Sequence, residues 1–521
     1  MNGNFFKPLL FSFIFLCQMT HAQDLTRPGA TKVSPEKKVQ LDCNKRVFYE
    51  IFVRSFYDSN GDGIGDLNGI TQKLDYLSSL GIGGLWLTPF NPSPSYHKYD
   101  ITDYHNIDRQ YGTLEDFKKL VAEAHRRNIL VLMDLVVNHT SHLHPWFQEA
   151  INQNPKYRNF YVWQSASDTS RANWFFPMDN SGKQIGNQKY YGFFWKGMPD
   201  LNFDNRETRE AVIEIGKWWL KETHIDGFRL DAAQHIYDAS EIAANNNWWK
   251  EFTDSMKTVK PDVITIGEVW NTSAHIAPYL ASLSGSFNFP LAADIYKAVK
   301  EEQNDSLVEK LIYTRKLYAA YSPDFIDPIL LSNHDGDRIM SLLQNNLSQA
   351  RLAASIYLTL PGTPFVYYGE EIGMRGAKPD SLIREPFLWD EPGRDPHQTS
   401  WEKSFYNTTE KVKPLSLQAS DSNSIFVFYK DLIALRRNNP SLTSEIIEPV
   451  KTVPQLLAYY RGSESTKVLV IHNLSAKTIK YKLGSSESTF AKVIFQSENK
   501  VVHKKSKISL PAYSSVVLGK I

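Results

Sequence analysis

Eight short apolar runs, separated by amphipathic helical stretches, restrict the fold more than any other feature of this chain. They read VFYEIFV, GGLWLTP, ILVLMDLVVNH, DGFRLD, VITIGEVW, GSFNFPL, DPILLSNHD and PFVYYGEE. Between them lie segments such as LEDFKKLVAEAHRRN and REAVIEIGKWWLKE, apolar at helical spacing with charges on the opposite face. Strands buried on both faces read as continuous apolar runs, and this regular alternation with helices predicts an α/β fold, a closed parallel (β/α)8 TIM barrel. A doubly wound open sheet is the alternative, but no Gly-rich dinucleotide turn follows the first run.

Two segments break the alternation. Residues 140–203 are rich in Trp, Tyr, Asn and Gly, lack a helical period and are too long for a plain loop, so they predict a small domain inserted after the third strand. Within 441–521, QLLAYYRG, KVLVIHNLS, TIKYKLG, AKVIFQS and SSVVLGK are separated by turn residues and predict a C-terminal antiparallel β-sandwich. The barrel is then built from 42–139 and 204–440, with 23–41 a polar linker. At the N-terminus Lys7 precedes LLFSFIFLC, and Thr20 and Ala22 occupy the small positions of a cleavage site. Residues 1–22 are therefore expected to be a signal peptide, too short in its apolar run for a stable membrane span. Phe15 and Leu16 before Cys17 do not suit a lipoprotein signal. Export to the periplasm or the medium would leave Cys43 alone, without an internal disulfide. The charge balance, 58 Lys+Arg against 57 Asp+Glu, has no basic excess for a nucleic acid or a membrane surface. Nothing in the sequence bears on oligomeric state.

Within GFRLDAAQH, period-two alternation turns Arg229 and Asp231 to one face of a strand. Charges buried there must be compensated or must open into a wet pocket. In a barrel of this kind, reactive groups stand at the C-terminal strand ends. Polar residues fall at those ends: Asp134, Asn138 and His139 on the third, Arg229 and Asp231 on the fourth, Glu268 on the fifth, His334 and Asp335 on the seventh. Carboxylates converging from three strands raise each other's pKa and persist mainly where function needs them. One carboxyl as nucleophile and another as proton donor is the machinery of retaining glycoside hydrolysis. The 12 Trp, 26 Tyr and 29 Phe offer faces for sugar rings, though they are also ordinary core material. Separately, DSNGDGIGD gathers oxygen donors at Asp58, Asn60, Asp62 and Asp66, with Gly63 for a sharp turn and the Ile64 carbonyl free to ligate. That is hard-cation chemistry. Gly69 at position twelve and a preceding strand set it apart from an EF-hand, and a metal-free turn is the alternative.

DLVVNH, GFRLDAAQH, GEVW and LSNHD, in this order, resemble the four short motifs of the α-amylase family of glycoside hydrolases. MPDLN, Met198 to Asn202, is similar to the family's additional motif near the end of its inserted domain. The resemblance covers nearly the whole mature chain. It implies that Asp231 is the nucleophile, forming a β-glycosyl-enzyme ester, with Arg229 holding its pKa down. Glu268 becomes the general acid/base, its pKa raised beside Val269 and Trp270. Asp335 becomes the third acid, which grips sugar hydroxyls and favours the distorted ring. His139 and His334 bind the same sugar, Tyr99 stacks on it with His97 beside, and Asp380 and Arg384, followed by Glu385, serve the next subsite. The cofactor implied is Ca2+, at the DSNGDGIGD loop and, as only some relatives have, between barrel and inserted domain through Asn138, Asp200 and the His235 carbonyl. Either ion would brace loops rather than join bond cleavage.

Gln234 departs from the lysine of many relatives. Tyr96 stands where exo-acting relatives tend to carry a carboxylate, which points to an open, endo-acting cleft. The implied activity is hydrolysis of internal α-1,4 bonds in starch, maltodextrin or a related α-glucan. MPDLN lies between the patterns of amylases and oligosaccharide-trimming enzymes, so an α-glucosidase or a cyclomaltodextrinase/neopullulanase-like enzyme is the alternative. Outside the enzymes, a non-catalytic α-glucan-binding protein would share the fold, but it would have no reason to keep all three acids.

Overall fold

Parallel strands covered by helices dominate the computed structural model, which describes residues 35–168, 172–179, 181–485, 487–498, 501–504 and 507–520. The expected signal peptide and the first part of the linker lie outside the described residues. The barrel strands are β1 (Phe48–Ile51), β2 (Gly84–Leu87), β3 (Leu130–Leu135), β4 (Gly227–Leu230), β5 (Ile264–Gly267), β6 (Gly285–Ser286), β7 (Pro328–Ile329) and β8 (Thr363–Tyr367). Each pairs in parallel with its chain neighbour from β1 to β6, β7 pairs with β8, and β8 returns to β1. A parallel bridge from Gly285 to Ile326, just before β7, closes the ring.

Alternation along the strands sorts the core into two shells. Phe48, Trp86, Leu132, Ile264, Ile266, Phe287 and Phe365 fill the barrel interior together with Cys43. Tyr49, Ile51, Leu85, Leu87, Val131, Met133, Phe228 and Leu230 face outward onto the helices. The run GSFNFPL yields only a two-residue strand, because Pro290 sits in the first turn of the helix Phe289–Glu301 and the Asn288 side chain caps it. The expected linker also differs: residues Pro35–Asn44 form a helix. The Gln40 amide donates to the Phe325 carbonyl at 2.8 Å, and Cys43 is buried in the barrel interior, which pushes its thiol upward in pKa.

The segment after β3 carries two short helices, Pro145–Ile151 and Pro155–Arg158, each begun by proline and capped by the preceding His144 or Asn154. A three-stranded antiparallel sheet follows, with Gln188–Tyr191 between Trp163–Ser165 and Trp174–Phe175. Bridges from His139 to Asp200 and from Tyr161 to Leu201 fasten this segment at its root.

Toward the C-terminus a five-stranded antiparallel sheet faces a three-stranded one. Leu456, Ala458, Leu469, Ile471, Val516 and Leu518 point toward the smaller sheet's Ile508 and Leu510. The alternate residues Leu457, Tyr459, Val470 and Val517 join the core shared with the barrel helices. Among the described residues, no helix is long and apolar enough to cross a membrane.

Candidate active site

At the C-terminal mouth of the barrel, one guanidinium organises three carboxylates. Arg229, 1% exposed, donates from Nη1 to both oxygens of Asp134 at 2.8 and 3.0 Å and to Asp231 at 2.7 Å. Its Nη2 lies 2.8 Å from Glu268 Oε1. Asp134 and Arg229 are register partners on β3 and β4, so the sheet itself puts the acid beside the base. Asp231 and Glu268 each stand one residue past a strand, their amides continuing the ladder to Leu135 and Leu230. Ala232 then turns into the left-handed region, φ +46°, and donates its amide to Glu268 Oε2 at 3.0 Å. A non-glycine residue held there is strained backbone at the point where the chemistry is placed.

Arg229 does pull the Asp231 pKa down, as expected, but burial and the neighbouring acids outweigh it. Burial pushes that carboxyl well above its ordinary range, and Glu268, Asp134 and Asp335 push the same way. Arg229 opposes them, but its single charge is divided among three carboxylates. Val269 is buried behind Glu268, whereas Trp270 is half exposed and stacks on Phe289 at 4.3 Å.

A second charge chain runs from β1 to the same cavity. Glu50, fully buried on β1, accepts from His334 Nδ1 at 2.6 Å, and His334 Nε2 lies 3.0 Å from Asp335 Oδ2. Burial works against the imidazolium, but Asp335 and Glu50 together raise it to about 10. Burial likewise opposes the Asp335 anion, yet His334 and Arg384 hold its carboxyl well below the usual range. Arg384 reaches Asp335 at 2.8 Å and Asp380 at 3.2 Å, and its Nε donates to the His334 carbonyl. Tyr99 lies face to face with His334, ring centres 5.4 Å apart, and donates to Asp134 at 2.9 Å. His139 donates from Nε2 to the Tyr99 carbonyl at 3.0 Å, and burial lowers its pKa to about 4, a neutral imidazole at neutral pH.

The resulting cleft, about 490 Å³, is lined by His97, Tyr99, His139, Asp231, Glu268, Asp335, Asp380 and Arg384, together with Gln234, His235 and Trp270. The expected site residues of the mouth therefore meet in one cavity, with Arg229 and His334 directly beneath. Glu385 does not join them: it accepts from the amides of Phe405, Tyr406 and Asn407 and anchors that loop. Sequence reasoning missed Glu50 and gave Asp134 no role. The signal for Glu50 was present, since Phe48 faces the barrel interior and residue 50 must face the same way.

The metal-loop residues form a tight turn after β1. Asp58 accepts from the amides of Asn60, Gly61 and Gly63, Asp62 from that of Ile64, and Asp66 from those of Ser59 and Gly69. Gly63 has φ +86°, a conformation that favours glycine. Among the described residues no basic side chain pairs with Asp58, Asp62 or Asp66, although Asp58 and Asp66 are buried. Nor do three His, Cys, Asp or Glu side chains form a ready metal cluster, so the donor set needs Asn60 and the Ile64 carbonyl. As a set of oxygen donors with uncompensated charge, it fits a hard cation. At the root of the inserted segment Asn138 donates to the His235 carbonyl at 2.5 Å, and Asn138 also bonds Asp200. Burial raises Asp200 to about 8, against the pull of its hydrogen bonds from the Phe193 amide and Asn138. These three groups also fit a hard cation.

A family model for the α-amylase catalytic domain matches residues 50–445, and one for the C-terminal domain of the α-amylase SusG matches 456–517. The chain is 42% identical over 514 residues to α-amylase 3 of Dictyoglomus thermophilum, covering 98% of both proteins. It is 33% identical to a 4-α-glucanotransferase of Thermotoga neapolitana, covering 82% of this chain and 95% of that one. Among solved structures, an α-amylase from H. orenii superposes with a TM-score of 0.81 at 41% identity, over 91% of this chain and 99% of the other.

Proposed function

The chain belongs to the α-amylase family and is a glycoside hydrolase, and from that premise we propose that it cuts internal α-1,4 bonds of starch-like glucans with retention of configuration. One observation carries the reading: Asp231 and Glu268 share the Arg229 guanidinium at the barrel mouth. Two carboxyl groups on one guanidinium suit the separation of about 5–5.5 Å that lets one acid attack carbon while the other protonates the departing oxygen.

In this mechanism the form of Asp231 that is ionised against Arg229 attacks the anomeric carbon and forms a glycosyl ester. Glu268 gives its proton to the glycosidic oxygen, then takes one from the incoming water as the ester breaks. Arg229 stabilises both carboxylates without exchanging a proton itself. Asp335, kept ionised by His334 and Arg384, accepts hydrogen bonds from the sugar hydroxyls. Tyr99 presents its ring to the same sugar. Tyr96, whose hydroxyl lies 3.4 Å from Arg384 Nη1 and whose ring stacks on Trp401, leaves no acid to close the cleft end, which supports endo attack. Calcium would be held by Asp58, Asn60, Asp62, Asp66 and the Ile64 carbonyl, and a second ion by Asn138, Asp200 and the His235 carbonyl. Bound there, it would neutralise buried acids and stiffen the loops around the cleft. The Lys7-to-Ala22 leader supports export to the periplasm or medium.

Timed digestion of amylose tests the proposal. Mid-length oligomers of α configuration are expected first; glucose alone from the earliest time point, or β-configured products, would overturn it.

A further inference from the structure

We propose that the inserted domain carries a second α-glucan site, a groove continuous with the catalytic cleft at its His235 end. The inference rests on the α-glucan reading of the catalytic site and extends it to longer chains. The groove, about 570 Å³, is lined by His142, Phe147, Phe175, Phe176, Met178 and Trp195, among others. Trp195 also lines the catalytic cleft, beside Phe194, whose ring lies 6.3 Å from that of His235. A chain leaving the cleft past His235 thus meets Trp195 and then the groove.

Trp195 lays its indole against the backbone at Gly197. A Cβ at residue 197 would lie 2.2 Å from the indole, so only the glycine present there lets the ring settle against the backbone. The indole is nevertheless 45% exposed, and Leu143, Met178 and Phe194, at 49, 54 and 48%, complete a patch of exposed apolar side chains in the inserted domain. Such a concentration on one rim marks a binding surface. Its chemistry suits a glucan: flat or broad apolar faces for the C–H surfaces of pyranose rings, with exposed Asn152 and Lys196 at the edge for hydroxyls. Because Trp195 lines both the groove and the catalytic cleft, the occupant that fits is the enzyme's own substrate rather than a protein or a second copy.

Two measurements test the groove. In the Phe176→Ala/Met178→Ala double variant, kcat/KM on long amylose should fall about tenfold while that on maltotriose stays within about twofold of the parent. In the silenced Glu268→Gln enzyme, with no change to the groove, a long linear maltodextrin should slow hydrogen exchange at residues 175–178, and maltotriose should not. This second measurement decides the matter if the double variant folds poorly. Protection at residues 232–234 near the nucleophile, without protection at 175–178, overturns the groove and leaves the catalytic reading intact. Protection at neither place overturns the α-glucan reading itself. A self-association abolished by the double variant would assign the patch to a second copy and overturn the proposal.

Discussion

Arg229 and Arg461 are both buried arginines, yet they belong to different kinds of structure. Arg229 meets Asp134, Asp231 and Glu268, and the surrounding network adds Glu50, His334 and Arg384. Arg461, at the seam between the barrel helices and the C-terminal sheet, donates instead to the carbonyls of Ile446, Thr359, Leu442 and Ser444. Its neighbour Arg436 does the same with Leu358, Leu360 and Gly362, and neither forms an ion pair among the described residues. Burial lowers Arg436 to about 9 and Arg461 well below its usual value. At the seam a guanidinium is used for its fork of donors, satisfying strand and helix ends that would otherwise be orphaned. At the mouth the same group is used for its charge. A buried arginine therefore marks chemistry only when acids answer it.

The strongest way to break that distinction is to remove function at the mouth and ask whether stability follows. Glu268→Gln should slow amylose hydrolysis by about 10²–10⁴-fold, the usual worth of a positioned acid/base, and Asp231→Asn by at least as much. Neither should lower the melting temperature, because each change removes a buried like charge. A large loss of stability with either would return the mouth to the class of the seam. The converse substitution, Arg461→Met, should leave kcat/KM of the folded enzyme unchanged. It should cost about 3 kcal/mol in denaturant unfolding, since it strands carbonyls from two chain segments, at Thr359 and at 442–446.

The two regions also differed in how much of them the sequence disclosed. At the mouth, acids interrupt strands that are otherwise apolar, so Asp231, Glu268 and Asp335 stood out against their surroundings. Glu50 did not, because VFYEIFV was read for its hydrophobicity and not for the direction of its fourth residue. Arg436 and Arg461 could not have been found: their partners are main-chain carbonyls, and a side-chain pattern records nothing about those. The barrel was legible through its apolar parallel strands, whereas β6 was overextended because Phe and Leu around Pro290 suit a strand and a helix equally. The sequence could place Arg229 beside Asp231 but could not weigh burial and three acids against one cation.

Asp200 sharpens the comparison from the opposite sign, as a buried acid that no arginine or lysine among the described residues pairs with. If calcium answers it, and answers Asp58 and Asp66 in the loop, chelation should destabilise the protein. Calcium in hundredfold excess over its Kd would contribute about 2.7 kcal/mol for each site occupied. Thermal melts with and without chelator check this. Asp200→Asn should shrink the calcium-dependent shift through one site and Asp62→Ala through the other; a shift unaffected by both would remove calcium from these residues.

The smallest effect is the most discriminating, because it touches the charge network without touching sugar. Glu50 and Asp335 flank His334, and together they keep it an imidazolium up to about pH 10. Since that pKa lies above the value of about 6.5 in an unfolded chain, the stabilising contribution is complete below pH 6.5 and is lost as pH rises toward 10. Glu50→Gln preserves shape and one hydrogen-bond acceptor but removes one of the two anions. His334 should then release its proton at lower pH, and Asp335 should lose its cationic partner earlier. The alkaline limb of kcat/KM is expected to move to lower pH, with about a tenfold loss above the new midpoint and little change below neutrality. Unfolding stability should decline over the same alkaline range. A residue that merely filled space would lower activity equally at every pH, so an unshifted limb would place Glu50 with Arg461 among the seam-like groups and strip the mouth of its deepest member.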